Sequence, residues 1–137
     1  MGLAEKRALN ELQTKAWPGY LARIQAAASY PVEVVPNWDS LMPTENNSAH
    51  FVEFFDRAFV KPLELMFQEF CKDDFTKNAV REGLKKIEII GDAEAWSSTK
   101  FGEFKAGTLT VRHDSYTNLD DFKDRSETAR KAVESGL

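Results

Sequence analysis

Apolar residues recur three or four positions apart over four stretches of this chain, which is the spacing of one face of an α-helix. The four stretches are residues 3–28, 50–71, 73–86 and 117–133. Trp17-Pro18-Gly19 interrupts the first of them. Because proline is disfavoured inside a helix but accepted at its first position, the sequence predicts two short helices that meet near Pro18.

Four short stretches of alternating or β-branched character are candidate strands. They are residues 32–35, 87–90, 97–103 and 108–113. Phe104-Lys105-Ala106-Gly107 separates the last two, and a short connection that ends on glycine is typical of a β-hairpin.

The elements follow one another in the order ααβααβββα. A run of strands late in the chain favours the α+β class over a doubly wound fold. We expect a mainly antiparallel sheet of three to four strands, because strands that are near in sequence tend to pair, with the helices largely on one face. A chain of 137 residues is the size of one domain, which we assign to residues 1–137.

The helix predicted over residues 50–71 is unusually rich in phenylalanine. Its apolar residues cover well over half of the helical circumference, whereas a surface helix shows a stripe of about 100° or somewhat more. The pattern therefore favours a central core helix. The alternative is an exposed aromatic groove or dimer face that includes Phe51 and Phe54. Pro62 leaves the carbonyl of Ala58 without its helical donor, which predicts a kink or a restart of the helix.

The charge of the chain argues against binding to nucleic acid. The net charge is −4, and the short basic pairs Lys85-Lys86 and Arg130-Lys131 lie near predicted helix ends, where cations favour the helix dipole. Residues 31–68 hold six acids against two bases, so this region is the acidic candidate for a partner surface.

The sequence predicts a cytoplasmic protein with no membrane partner. Its longest apolar runs are only a few residues, too short to span a bilayer. Charged residues at positions 5–7 occupy the place where a signal peptide would be apolar. Cys71 is the single cysteine, so no internal disulfide can form.

Cofactor and metal motifs are missing from the sequence. It contains neither the glycine-rich phosphate-binding motifs nor the GxSxG nucleophile motif, and we predict no cofactor. His50, Cys71 and His113 are the candidate soft metal ligands, but none of them has the close spacing of HExxH or CxxC. Since a structural zinc site needs four ligands, we predict no metal site.

Asp56 and His113 break the local pattern. Asp56 falls inside the apolar arc of its helix, and a buried carboxylate needs a charged or hydrogen-bonding partner. His113 shares the strand face of Leu109 and Val111, so its ring points toward the core or a cleft. The two side chains would form an acid/base pair if they met. The alternatives are a carboxylate turned to water and a strand-end histidine bonded to a backbone group.

Trp38-Asp39 follows the first predicted strand within the segment PNWDSL. A tryptophan beside a loop acid is a candidate recognition point, because tryptophan is enriched at binding hot spots. The alternative is a tryptophan that covers the edge of the core.

Three segments resemble a group of small uncharacterised bacterial proteins of about this length. They are the run from Pro31 to Leu41, EGLKKIEI (Glu82 to Ile89) and TNLDDFKDR (Thr117 to Arg125). The resemblance extends over most of the chain and implies a bacterial, cytoplasmic, single-domain protein. It transfers no activity and no catalytic residue.

The sequence as a whole favours a small non-enzymatic binding or assembly protein. Its partner would be another protein, such as a toxin that it neutralises, or a second copy of itself. Trp38, Asp39, Phe51 and Phe54 are the predicted binding residues. The alternative is a small enzyme with an aromatic-lined pocket, in which Asp56 and His113 supply acid and base.

Overall fold

Helix α1 is one continuous rod over residues 3–28 in the computed structural model, which describes residues 2–43 and 45–137. Two α-helical parts, Leu3–Glu11 and Trp17–Ala28, are joined by a π-helical turn, Leu12–Ala16. The prediction of two helices that meet near Pro18 is therefore wrong. The Trp17 amide donates to the carbonyl of Leu12, and this wider turn places Pro18 in the first turn of a new α-helical segment, where its missing N–H does no harm.

Helix α2 covers residues 51–70 and uses the same arrangement. Its α-helical parts Phe51–Phe55 and Lys61–Phe70 flank a π-turn, Asp56–Val60. The Lys61 amide donates to the carbonyl of Asp56, and Pro62 follows directly. The restart predicted at this proline is thus a change of helical hydrogen bonding without a break in the rod.

Two shorter helices follow, α3 at Asp74–Gly83 and α4 at Phe122–Gly136. The side chain of Asp73 caps α3 by accepting from the Thr76 amide at 2.9 Å. Helix α4 begins later than the cap residues at 117–121 predict. The carbonyls of this segment bind the side chains of His113 and Arg125, so the backbone here is held in another conformation.

The sheet has four strands in the order β1-β2-β4-β3. They are β1 (Glu33–Pro36), β2 (Lys86–Gly91), β3 (Gly102–Lys105) and β4 (Thr108–His113). The α+β class is confirmed, but the sheet is mixed, because β1 pairs parallel with β2 and β2 parallel with β4. The expectation of a mainly antiparallel sheet is wrong. β1 and β2 pair in parallel because the long helical segment between them returns the chain to the same end of the sheet.

The observed order of the described elements is αβααβββα, one helix fewer than predicted, because α1 is continuous. The hairpin between β3 and β4 turns at Ala106 and Gly107, both with positive φ, as a two-residue type I′ turn requires. The strand predicted at 97–103 lies instead at Gly102–Lys105, since Ser98–Lys100 forms a 3₁₀ turn, and it extends into the connection predicted at 104–107.

The two faces of the sheet have different environments. Inward-facing side chains alternate along the strands and are buried under the helices: Val34, Ile87, Ile89, Leu109, Val111 and His113. Phe51, Phe55 and Phe59 of α2 are also buried, so the wide apolar arc of this helix belongs to the core. Helix α4 approaches β3 so closely that a Cβ on Gly102 would lie 2.8 Å from the Ala129 Cα. Among the described residues, no helix combines the length and apolar character that crossing a bilayer requires.

Candidate functional site

A cleft lies where three parallel strands end. Because β1, β2 and β4 run in the same direction, their carboxyl ends meet at one edge of the sheet, which is where open sheets of parallel strands bind ligands. The cleft has a volume of about 380 Å³. Its lining residues are Ser40, Met42, Gly91, Asp92, Ala93, Asp114, Ser115 and Tyr116. We call it the strand-end cleft.

The hydroxyl of Ser40 ties two of these strand ends together. It donates to the carbonyl of Asn37 at 2.7 Å and accepts from the Gly91 amide at 3.0 Å. Gly91 must be small here, because a Cβ at this position would lie 2.4 Å from the Ser40 carbonyl oxygen. The close approach of backbone to backbone fixes the floor of the cleft.

Two aspartates leave adjacent strands at the same level. Gly91 and His113 are register partners at the ends of β2 and β4, and Asp92 and Asp114 follow them. The Asp92 amide donates to the His113 carbonyl at 3.1 Å, so the sheet pairing continues into the cleft. Both side chains are half-buried.

Hydrogen bonds within the loops orient these carboxylates. Asp114 accepts from the Tyr116 amide at 3.2 Å and from the Thr117 hydroxyl at 2.6 Å. Asp92 accepts from the Glu94 amide at 3.0 Å. Among the lining residues that the structure describes, two are acidic and none is basic. The cleft therefore favours a cation over an anion.

The four predicted binding residues have different positions. Trp38 covers the edge of the core, with its ring 5.7 Å from Trp17 in an edge-on contact, and Phe51 is buried. Phe54 is half-buried and packs edge-on at 5.9 Å against Tyr116, which lines the strand-end cleft. Asp39 is exposed and precedes the cleft residue Ser40 in the chain.

Asp56 and His113 bind different partners. Asp56 forms an ion pair with Arg23 at 3.1 Å, and Arg23 also pairs with Glu64 at 3.2 Å. Hydrogen bonds to these two carboxylates raise the pKa of Arg23. The structure thus supplies the charged partner that the position of Asp56 in the apolar arc requires.

His113 is fully buried, and its Nε2 lies 2.8 Å from the carbonyl of Thr117. A carbonyl can only accept, so Nε2 carries the proton and Nδ1 is a bare acceptor, with no hydrogen-bond partner in the described part of the chain. Burial lowers the pKa of the His113 imidazole below its usual value. Among the residues that the structure describes, no hydrogen bond or ion pair joins His113 to Asp56.

Arg125 is the structural residue that sequence reasoning missed. It is fully buried, and its guanidinium donates to the carbonyls of Ala58 at 3.2 Å and Arg57 at 2.8 Å in the π-turn of α2. It also donates to the carbonyls of Asn118 and Leu119 in the loop before α4. The available signal is Pro62, which cannot donate to the Ala58 carbonyl and so calls for another donor.

Asp92, Asp114 and Ser40 were also missed as site residues. Asp114 directly follows the strand predicted at 108–113, and Asp92 comes two residues after the one predicted at 87–90, which is a visible signal, but the parallel pairing that brings them together is not. No group of three or more His, Cys, Asp or Glu side chains within residues 2–43 and 45–137 is placed to hold a metal ion. Comparison of the chain with family models, curated proteins and solved structures finds no match.

Proposed function

We propose that this protein is a non-enzymatic binding protein that takes a basic segment of a protein partner in the strand-end cleft. One observation carries the proposal: the cleft at the carboxyl ends of three parallel strands is lined by two oriented carboxylates, Asp92 and Asp114, and by no basic residue among those described. Carboxylates held in this way recognise Lys and Arg side chains by charge-assisted hydrogen bonds.

The size of the cleft supports recognition of side chains. A volume of about 380 Å³ lies at the lower end of the range for ligand sites. It has room for one or two long side chains of a partner. The methyl, hydroxyl and aromatic groups of Ala93, Ser115 and Tyr116 line the same space and suit the aliphatic part of a Lys or Arg side chain.

The strand-end cleft is a different partner surface from the phenylalanine-rich helix that the sequence suggested. Phe51, Phe55 and Phe59 lie in the core, so a partner cannot reach them without unfolding the protein. Asp39 of the region 31–68 is exposed and lies next to Ser40 in the chain, but it is not among the lining residues of the cleft.

The alternative of an enzyme that uses Asp56 and His113 has less support. His113 is fully buried, so a substrate cannot reach its ring in this conformation, and Asp56 is held by Arg23. A general base must lie within hydrogen-bonding reach of the proton that it removes.

Calorimetry with short synthetic peptides tests the proposal. Peptides rich in Lys or Arg should bind, whereas matched peptides with Gln at the basic positions should not. Asp92→Asn keeps the acceptor for the Glu94 amide and removes only the charge, so it should weaken binding about three- to tenfold. Added salt should weaken the binding further.

Glu127→Gln is the matched control, because it removes the same charge from an exposed position on α4. This variant should bind the basic peptides as the original protein does. Equal binding of basic and neutral peptides, or no effect of Asp92→Asn, would contradict the proposed function.

A further inference from the structure

The helices that the structure describes do not cover the second face of the sheet. Side chains on this face alternate with the buried ones and are exposed or half-exposed. They are Glu33 and Val35 of β1, Lys86, Glu88 and Ile90 of β2, Glu103 and Lys105 of β3, and Thr108, Thr110 and Arg112 of β4. We call this surface the open face. Val35 is 41% exposed, and a depression of about 270 Å³ is lined by Val35, Asn37, Glu88 and Ile90.

Charges on the open face lie in levels across the strands. The strand register places Glu33, Lys86, Thr108 and Lys105 at one level. It places Val35, Glu88, Thr110 and Glu103 at the next level. On β2 and β3 a lysine level thus lies beside a glutamate level, with the threonines of β4 between the charges, whereas β1 contributes Glu33 and Val35.

This pattern is complementary to itself. A two-fold axis that lies in the plane of the interface and perpendicular to the strands exchanges the two levels. Lys86 of one copy then faces Glu88 of the other, and Lys105 faces Glu103, and each contact occurs twice. Threonine faces threonine on β4, and Glu33 faces Val35 on β1. Within one copy Lys86 and Glu88 already lie 3.3 Å apart, so the second copy would extend an existing pair into a network of alternating charges.

We infer that the open face binds a second copy of this chain, with the strands of the two sheets antiparallel. The ten side chains of the face carry three acidic and three basic groups, so the surface as a whole does not repel its own copy. The two sheets would pack aligned, as in β-sandwiches. This interface is distinct from the strand-end cleft and does not depend on the proposed function.

The size of the open face predicts a weak dimer. Two strands of four residues and two of six, about 4.8 Å apart and at about 3.3 Å per residue, give a flat area of roughly 300 Å² per copy. Both copies together would bury less area than a standard specific interface, which is the size range of weak and transient association. Since charged contacts dominate, the dimer should dissociate as salt is added.

Charge reversal tests the inference by sedimentation of the full chain. The double variant Glu88→Lys/Glu103→Lys makes both levels basic on β2 and β3, and Lys86→Glu/Lys105→Glu makes both levels acidic on these strands. Each variant alone should self-associate at least about tenfold more weakly than the original protein, because like charges then face each other. An equal mixture of the two variants should associate again as a heterodimer.

Two controls separate this result from other effects. Glu127→Lys reverses an exposed charge on α4 and should leave self-association unchanged, and so should Asp92→Asn in the cleft. Circular dichroism and urea unfolding must show that both double variants fold. The inference would be overturned if the original protein stayed monomeric up to about 1 mM, because a weak dimer should be populated at that concentration. Reversal variants that associate as the original does, or a mixture that fails to associate, would also overturn it.

Discussion

The guanidinium of Arg125 lies in the interior and forms four hydrogen bonds to backbone carbonyls. Burial lowers the pKa of this side chain to about 10, so it remains charged at neutral pH. Two of its acceptors, the carbonyls of Arg57 and Ala58, lack their usual helical donors. The Lys61 amide bonds to Asp56 in the π-turn, and Pro62 has no N–H.

Replacement of Arg125 by Met should lower the free energy of unfolding by about 3 kcal/mol or more, because several buried carbonyls lose their donor at once. Urea denaturation measures the loss. Arg130→Met on the same helix is the control. It breaks an i,i+4 pair with Glu134 and should cost about 0.5 kcal/mol or less. Equal losses in the two variants would mean that Arg125 does not hold the π-turn.

The buried side chain of His113 should make the free energy of unfolding decrease in acid. Its pKa is lowered in the folded protein by burial and by the nearby charge of Arg125, while the hydrogen bond to the Thr117 carbonyl and the charges of Asp114 and Asp121 oppose the shift. The unfolded chain therefore binds a proton more readily than the folded chain below about pH 6.5. Stability due to this residue is present above that pH and decreases as the pH falls toward the folded-state pKa.

Urea unfolding at a series of pH values between neutral and about pH 5 tests this prediction, with a loss of roughly 1.4 kcal/mol for each unit by which the pKa is lowered. His113→Gln can still donate to the Thr117 carbonyl but does not titrate, so its stability should depend less on pH in this range. An equal slope in both proteins would contradict the assignment.

Phe59 is fully buried in the centre of α2, and its ring lies 5.3 Å from that of Phe55. Phe59→Ala should cost about 3–5 kcal/mol through lost burial and the cavity left behind. Phe75 is 85% exposed, and Phe75→Ala should change stability by about 0.5 kcal/mol or less. An unfolding midpoint unchanged by Phe59→Ala would place the inner face of α2 elsewhere.

The two long helices share one local arrangement, a π-turn followed directly by Trp17-Pro18 or Lys61-Pro62. The sequence shows the prolines but not the π-turns, because either a break or a wider turn accommodates a proline. In α2 the buried side chain of Arg125 supplies the donors that the turn lacks. Tertiary contacts from α4 thus complete the hydrogen bonding of α2, and a local pattern cannot show this.

The close contact between Gly91 at the end of β2 and Ser40 after β1 forms the floor of the cleft and can be tested by substitution. Gly91→Ala would place a Cβ 2.4 Å from the Ser40 carbonyl, so the backbone must shift, at a cost of about 1–3 kcal/mol. Gly19→Ala in α1 is the matched control. A Cβ added at this position meets no atom within 4 Å apart from its chain neighbours and the backbone of its own helix. That change should stabilise the protein by about 0.5–1 kcal/mol. Thermal unfolding of both variants separates the two cases, and a stabilised Gly91→Ala would contradict the close approach.

Sequence patterns located most strands and helices but not their arrangement. Alternation at 108–113 predicted β4 and the inward direction of His113, because burial on one face imposes a period of two. The parallel pairing of β1 with β2 depends on where residues 37–85 lead the chain, and no local pattern records that. Asp92 and Asp114 follow β2 and β4, and the parallel pairing of these two strands, which no local pattern records either, brings them to one edge of the sheet.

At the level of the whole molecule, the described helices cover one face of a mixed sheet, and the strand-end cleft and the open face are the two surfaces that we propose for partners. The strand-end cleft carries an excess of negative charge, whereas the open face carries balanced charge. The two surfaces should therefore respond differently to ligands: a basic peptide should occupy the cleft, and the open face should respond to the concentration of the protein itself.

Chemical-shift mapping by NMR with a basic peptide tests the strand-end cleft most directly. During titration the backbone amides of Gly91, Asp92, Ala93 and Ser115 should shift, and the amides of Val35 and Thr110 on strands of the open face should not. The same titration of Asp92→Asn should give smaller shifts at equal peptide concentration. Shifts confined to residues outside the cleft, or shifts of equal size in both proteins, would contradict the assignment of this cleft as the binding site.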